Sequence, residues 1–508
     1  MTFKLSHIAL AVGLGCVASA VLANPTTPNR NPANYTSGTS DVYVAGSSAV
    51  DLALTKFIAN TCAAGTLDTY RSDAGGRTFY LWTCETAAGA NFNLTSGNTK
   101  IAIHKNTNSS ADGTNLVDDA GGTLAFMQPA DLTANAGACA VAPTVVPATA
   151  TIPTYNAYNC GTTIGTAGAP QAVHTVTFGF SDSEPAQFNS AVASQLTSVY
   201  PLTIVFGVPV TKNVRDLLQT SQGLTAGDES EAGMPSLTTA QLNSIFTARF
   251  TSWSSLGITV PGDNKIYLVR RSAGSGTTRA FDVNFVTDFC VPGATPLATA
   301  TTLVTSTIST QCKGTGAGGT QKLQAGTSDD MANCLSSFQG GSVGAIGYLS
   351  TDYTPATADG YRWVKVDGYS PKLLNVADGK WRDWSEESLN YNANTGIAND
   401  DLAFYNAIQV TSNSGVLMSE IAQNLPQTTS GQWTGGVMGA LPSRLNGGNA
   451  WGVPTTGLNG VGATVNVLAV PRTDAEILSY PANPATRGTS GGYKLCALPQ
   501  PASGYQAQ

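Results

Sequence analysis

The run Lys265-Ile266-Tyr267-Leu268-Val269 reads as a strand. It ends in Arg270-Arg271-Ser272-Ala273-Gly274-Ser275-Gly276 and passes into a helix over about Thr278–Phe289. A strand that turns into a helix through small residues is one unit of an α/β layer. It places backbone N–H groups, hydroxyls and an arginine together at the carboxyl end of a strand, where α/β sheets hold their ligands. Turn N–H groups and a helix start favour negative charge, and an arginine grips an oxyanion through two parallel bonds. The pattern implies an anion pocket; the plainer alternative is a turn beside an arginine.

The unit recurs earlier. Asp41-Val42-Tyr43-Val44-Ala45 reads as a buried strand, Gly46-Ser47-Ser48 as a turn, and the segment through Ile58 as a helix burying Leu52, Leu54, Phe57 and Ile58. Helix capping by Ser47 or Ser48 is the simpler account of those serines. The alternating stretch Thr175–Phe180 ends in Ser181-Asp182. An acid beside an anion makes sense when the ligand carries a proton. A carboxylate accepts that hydrogen bond and rejects a fully ionised tetrahedral anion; a helix-capping role for Asp182 stays open.

Further strands are expected at Ile101–His104, Leu202–Val210, Gly344–Leu349 and Val364–Tyr369, and at Thr464–Val470 near the end. Helices are expected at Thr239–Phe246, Asp329–Phe338, Asp401–Ile408 and Val416–Ile421. Such alternation predicts an α/β fold. A chain of 508 residues exceeds what one core organises, so at least two lobes are expected, with the ligand crevice between them.

Residues 1–23 read as a secretory signal peptide, with Lys4 ahead of an apolar run from Ile8 to Val21. Residues 24–40 follow as a flexible leader. This places the mature chain outside the cytoplasm, periplasmic or extracellular, and no later run is long and apolar enough to span a bilayer. Nine cysteines, one of them Cys16 in the signal peptide, leave an even number for disulfides. Neighbourhood suggests Cys62–Cys84 and Cys139–Cys160, while Cys290, Cys312, Cys334 and Cys496 can pair in three ways. The Ala-, Thr- and Pro-rich stretch within about 86–170 reads as a disulfide-tied insertion.

Charge excludes several functions. A net charge of -7 with 11% charged residues argues against nucleic acid, which needs a basic stripe. Three histidines, His7 in the signal peptide, His104 and His174, almost exclude a histidine metal site. No cofactor motif, metal cluster, Gly-x-Ser-x-Gly elbow or Ser/His/Asp spacing is evident, so an enzyme is not expected.

Val269-Arg270-Arg271-Ser272-Ala273-Gly274-Ser275-Gly276-Thr277 resembles the anion loop of exported phosphate-binding proteins, the substrate-binding components of phosphate ABC transporters. The resemblance implies ligand roles for Arg271, Ser275, the Gly276 N–H and Thr277. Ala45-Gly46-Ser47-Ser48-Ala49 is similar to that family's first loop and implicates Ser47 and Ser48. Gly179-Phe180-Ser181-Asp182 is similar to the loop whose aspartate accepts the phosphate proton. Ser342–Tyr348 resembles the later strand that returns to the first lobe, and all four segments come in the family's order. The family's second serine loop would fall near Arg71–Gly76, where Arg71 and Asp73 stand instead of a small Ser/Gly turn.

The resemblance implies a two-lobed, periplasmic binding-protein-like α/β fold over 41–369. A C-terminal extension, 370–508, either stands apart or completes the lobes. The expected function is non-catalytic binding of phosphate or a related tetrahedral oxyanion, with an ABC permease as the partner that uptake would need. The alternative is a cell-surface structural or interaction protein that keeps the fold and has an assembly partner.

Overall fold

The computed structural model describes most of residues 39–412, Leu417, and the backbone of two later strands, Trp451–Pro454 and Thr464–Val467. Its longest internal breaks are 162–171, 287–301 and 305–320. The expected signal peptide, nearly all of the leader, Cys290, Cys312, Cys496 and the Val416–Ile421 helix apart from Leu417 lie outside the described residues. Among the described residues, no helix is long and apolar enough to cross a membrane.

The protein is an α/β structure; among its described residues two smaller apolar clusters, around Phe79 and around Phe126, accompany two large hydrophobic cores. One gathers the helix Asp51–Thr61 with the strands around Val42, Ile103 and Phe178; the other gathers Val208, Ile245, Trp253, Leu268, Phe281 and Ile346. Each large apolar side chain fully buried in this way contributes roughly 1.5–3 kcal/mol. The first core belongs to a sheet in which Thr39–Gly46 lies between Lys100–Thr107 and Phe178–Ser181, parallel to both. The second belongs to a sheet in which Asp263–Arg271 lies between Gln321–Ala325 and Val343–Ile346, again parallel to both.

One long strand, Leu196–Thr211, joins the two sheets. Its first part pairs antiparallel with Trp384–Asn392 in the first lobe. Its last residues pair antiparallel with Tyr361–Val366 in the second, Val208 opposite Val364 and Thr211 opposite Tyr361. Leu202–Val210 was thus legible as a strand, but the element is longer because it serves both lobes. Trp384–Asn392 sits inside the first sheet, next to Phe178–Ser181, and the helix Asn399–Ser412 covers that lobe through Phe404 and Ile408. Among the described residues beyond 370, Trp384–Asn392 and Asn399–Ser412 therefore belong to the first lobe.

The expected insertion also contributes to the framework. Lys100–Thr107, within 86–170, pairs along the full length of the first strand, and Tyr155–Asn159 adds parallel to Asp68–Ala74. The disulfides Cys62–Cys84 and Cys139–Cys160 are formed as expected. Cys334 is also disulfide-bonded, to a partner outside the described residues. Asp68–Ala74 and Arg77–Glu85 form a hairpin, so Arg71 lies within a strand and not in a serine turn.

Two helices differ in extent from the expectation. The predicted Thr278–Phe289 helix begins earlier, at Gly276, and widens into a π-helical turn over Asp282–Val286. The predicted strand Thr175–Phe180 divides, with Ala172–Thr175 pairing away to Thr123–Phe126 and Phe178–Ser181 joining the main sheet.

Candidate functional site

In the first lobe, strand pairing brings Gly46, Thr107 and Phe180 into one row, since Gly46 is opposite both of the others. Three parallel strands thus end on one edge. The loops that leave them are Ser47-Ser48, Asn108-Ser109-Ser110 and Ser181-Asp182. The second lobe does the same with two parallel strands, releasing Ser272–Gly276 and Gly326-Thr327-Ser328. Shared strand direction is what gathers these residues.

The two edges meet. Thr277 Oγ1 donates to Asp182 Oδ2 at 3.1 Å, and the Gly276 N–H donates to Ser110 Oγ at 3.1 Å. Ser110 in turn donates to Asp182 Oδ1. The Ala111 N–H reaches Gly274 O at 3.0 Å, and Ser183 Oγ reaches Gly276 O at 3.0 Å. Gly276 is required here: a Cβ would stand 1.7 Å from Asp182 Oδ1.

Arg271 closes another side. Its guanidinium donates to Ser328 Oγ at 2.8 Å, Asn108 O at 3.1 Å and Gly326 O at 3.2 Å. Ser328 Oγ lies 3.2 Å from Ser48 Oγ, so Arg271 and Ser48 are linked through one hydroxyl. Arg270, next in the chain, points elsewhere and forms a buried two-point pair with Asp282 at 2.7 and 2.9 Å.

The serine-capping account does not hold for the first helix. Its N-cap is Val50, without a side-chain bond, while Ser47 Oγ accepts from the Ala49 N–H at 3.1 Å within the loop. Below that loop, the buried Lys105 donates to Ser47 O at 2.6 Å and to the Asp51 carboxylate. Ser275 does cap its helix, accepting from the Thr278 N–H at 3.4 Å. Ser275 is buried beside Gly276 and Thr277.

Burial raises the Asp182 carboxyl above its ordinary range, against the bonds from Ser110 and Thr277 and the charge of Arg271. Burial likewise lowers the Arg271 guanidinium, and the Asp182 charge opposes that. An acid and a base, each destabilised by burial and each supported by the other, face a wall of hydroxyls. Such a set can hold a tetrahedral anion with hydroxyl and N–H donors, balance its charge, and accept one proton from it.

All the residues expected from sequence, Ser47, Ser48, Asp182, Arg271, Ser275, Gly276 and Thr277, lie along these facing edges. Sequence reasoning missed three others. Ser109 and Ser110 occupy the second serine loop that was sought near Arg71–Gly76. The signal was present: Ser109-Ser110-Ala111 follows a strand just as Ser47-Ser48-Ala49 does. Arg71 instead bridges the lobes away from the loop, pairing with Asp73 at 3.2 Å and with Asp329.

The third is Glu387, on the strand beside Asp182. Ser388 pairs with Ser181, so Glu387 is one step away on the side of Asp182. It is 0% exposed, and neither carboxyl oxygen has a hydrogen-bond partner among the described residues. Burial, then the Asp182 charge, raises its carboxyl well above the ordinary range, with Lys105 opposing and Asp51 reinforcing. The histidines serve structural contacts. His104 is buried, with Nδ1 donating to Met127 O at 2.7 Å and Nε2 lying 2.9 Å from Asp41, and His174 stacks on Tyr43.

Residues 185–398 match the model of the PBP superfamily domain. Over 183 residues the chain is 27% identical to the phosphate-binding protein PstS of Bacillus subtilis, a match covering 36% of this chain. The chain spans about half the length of that curated relative, 49%. Among solved structures, PstS from Borrelia burgdorferi is 10% identical with a TM-score of 0.31, the match covering 75% of this chain and 96% of that one. The phosphate-binding protein from Stenotrophomonas maltophilia is 17% identical with a TM-score of 0.30, covering 47% of this chain and 70% of that one. The assignment of the site rests on its own geometry.

Proposed function

We propose that the facing loops bind phosphate, or a related tetrahedral oxyanion, without converting it, outside the cytoplasm and in the service of uptake. One observation carries this reading: the Asp182 carboxylate lies among Ser110, Gly276 and Thr277, while Arg271 supplies positive charge to the same crevice. Serine and threonine hydroxyls and the Gly276 N–H supply donors to the anion. Asp182 supplies the acceptor for a ligand proton, which phosphate carries at neutral pH and sulfate does not. The resemblance to PstS supports the same ligand, and a membrane permease would be the partner for uptake.

A second reading is favoured by the bonds the lobes make directly. Arg271–Asn108, Thr277–Asp182 and Ala111–Gly274 hold the crevice through protein groups alone. A cell-surface structural protein that keeps the two-lobed fold would need only those bonds. Titration calorimetry of the purified chain in phosphate-free buffer separates the readings. Phosphate-selective binding, insensitive to excess sulfate and lost in Arg271→Ala, supports the receptor. Absence of heat with either anion supports the scaffold.

A further inference from the structure

Beside the oxyanion loops lies a second space. A cavity of about 420 Å³ runs between the lobes, with Ser48, Arg71, Tyr155, Asp329, Asp352 and Tyr353 in its walls. It begins where the loops end: Ser48 lines it, and Ser48 is joined through Ser328 to Arg271. Inorganic phosphate held by the loops would use none of this volume.

We infer that the site takes a phosphate monoester, with its phosphoryl group on the loops around Arg271 and a neutral, hydroxyl-bearing organic group in this cavity. The inference rests on the oxyanion reading above and names the class of ligand. Its first support is the position and size of the space. The second is the chemistry of its walls: the side chains of Arg71 and Asp329 keep 35% and 29% of their surface exposed, and Asp352 lines the same space. A guanidinium donor and carboxylate acceptors lining one space suit a ligand group that both accepts and donates. A hydroxyl is such a group.

Charge and ring geometry narrow the class. Asp51, Asp329 and Asp352 outnumber Arg71 in the walls, which disfavours a second anionic group such as another phosphate. A cationic group would want open aromatic faces. Here Tyr80 stacks on Trp82, with centroids 4.9 Å apart, and has the Arg71 guanidinium 6.0 Å from its ring. Tyr158 likewise stacks on Tyr70 at 4.9 Å. Tyr80 and Tyr158 thus each have a ring face engaged by protein, and the hydroxyls and carboxylates of the walls suit a polyol.

The test is calorimetry on the full chain with inorganic phosphate, glycerol 3-phosphate, glucose 6-phosphate and phosphoethanolamine, repeated with Asp352→Ala. The expected result is a polyol phosphate bound about tenfold or more tighter than inorganic phosphate, that ratio falling to near one in Asp352→Ala with phosphate affinity unchanged. Binding of inorganic phosphate with rejection of both polyol esters overturns the inference and leaves the oxyanion reading standing. So does a preference that survives Asp352→Ala. Tighter binding of phosphoethanolamine overturns the neutral-polyol assignment. Failure of every anion, inorganic phosphate included, overturns both readings.

Discussion

Thr277, at the start of a second-lobe helix, donates its hydroxyl to Asp182 of the first lobe at 3.1 Å. The bond makes one carboxylate both the closing contact between lobes and the acceptor facing the anion loops. Converting Asp182 to asparagine replaces an acceptor oxygen with an N–H donor at that point. Asp182→Asn is therefore expected to weaken phosphate binding and improve sulfate binding, shifting their ratio by about 10- to 100-fold. Competition calorimetry with the two anions reads this directly, and an unchanged ratio would remove Asp182 from the specificity argument.

Arg271→Ala should abolish measurable oxyanion binding, a loss of about 2–5 kcal/mol for removing one partner of a buried charged contact. The variant should stay folded, because Arg270 and not Arg271 carries the buried pair with Asp282. Far-ultraviolet circular dichroism checks the fold while calorimetry checks binding.

Gly276→Ala tests closure without touching charge. Its Cβ would fall 1.7 Å from Asp182 Oδ1 and 2.6 Å from Ser110 Oγ. The lobes are expected to sit further apart, seen as an increased radius of gyration in small-angle X-ray scattering. A scattering curve identical to that of the parent chain would show that the crevice accommodates the methyl group.

Glu387 gives a pH signature. Burial raises its folded-state carboxyl well above the ordinary range, as do Asp182 and Asp51, while Lys105 opposes. An unfolded glutamate ionises near ~4.3, so the folded chain binds the extra proton between that value and the raised one. The associated stability is complete below the unfolded value and is lost as pH rises through the folded value. Glu387→Gln should therefore flatten the decline of melting temperature toward alkaline pH. Thermal melts across a pH series compare the slopes, and equal slopes would assign the decline to other groups.

Much of this architecture was readable because local pattern and final structure agree. Thr239–Phe246 is a helix with a capping box from Thr238 and Gln241, and its buried Leu242, Ile245 and Phe246 lie on one face. Trp253 was expected to bury and is 0% exposed. The site loops were legible wherever small residues follow a strand. What was not legible depends on pairing between distant segments. Trp384–Asn392 is polar in sequence, yet Glu387, Ser388 and Asn390 are each 0% exposed because neighbouring strands cover both edges. Composition gave no hint that such a strand belongs inside. Ser109 and Ser110 escape the sequence reading for a related reason: the strand expected at Ile101–His104 runs on to Thr107, inside a stretch that reads as an insertion, so its end is not evident from the sequence. Only its pairing with Thr39–Gly46 shows where Ser109 and Ser110 emerge.

Arg270 and Arg271 are adjacent in one strand and face opposite sides, one into the salt link with Asp282 and the other into the crevice. Side chains alternate along a strand, so a single-residue insertion or deletion upstream in Asp263–Arg271 would exchange their destinations. The core would then receive the arginine that now lines the crevice, and the crevice would receive the one that Asp282 neutralises. Length in that strand is thus under a parity rule: changes of two residues preserve the assignment of charge, while changes of one invert it.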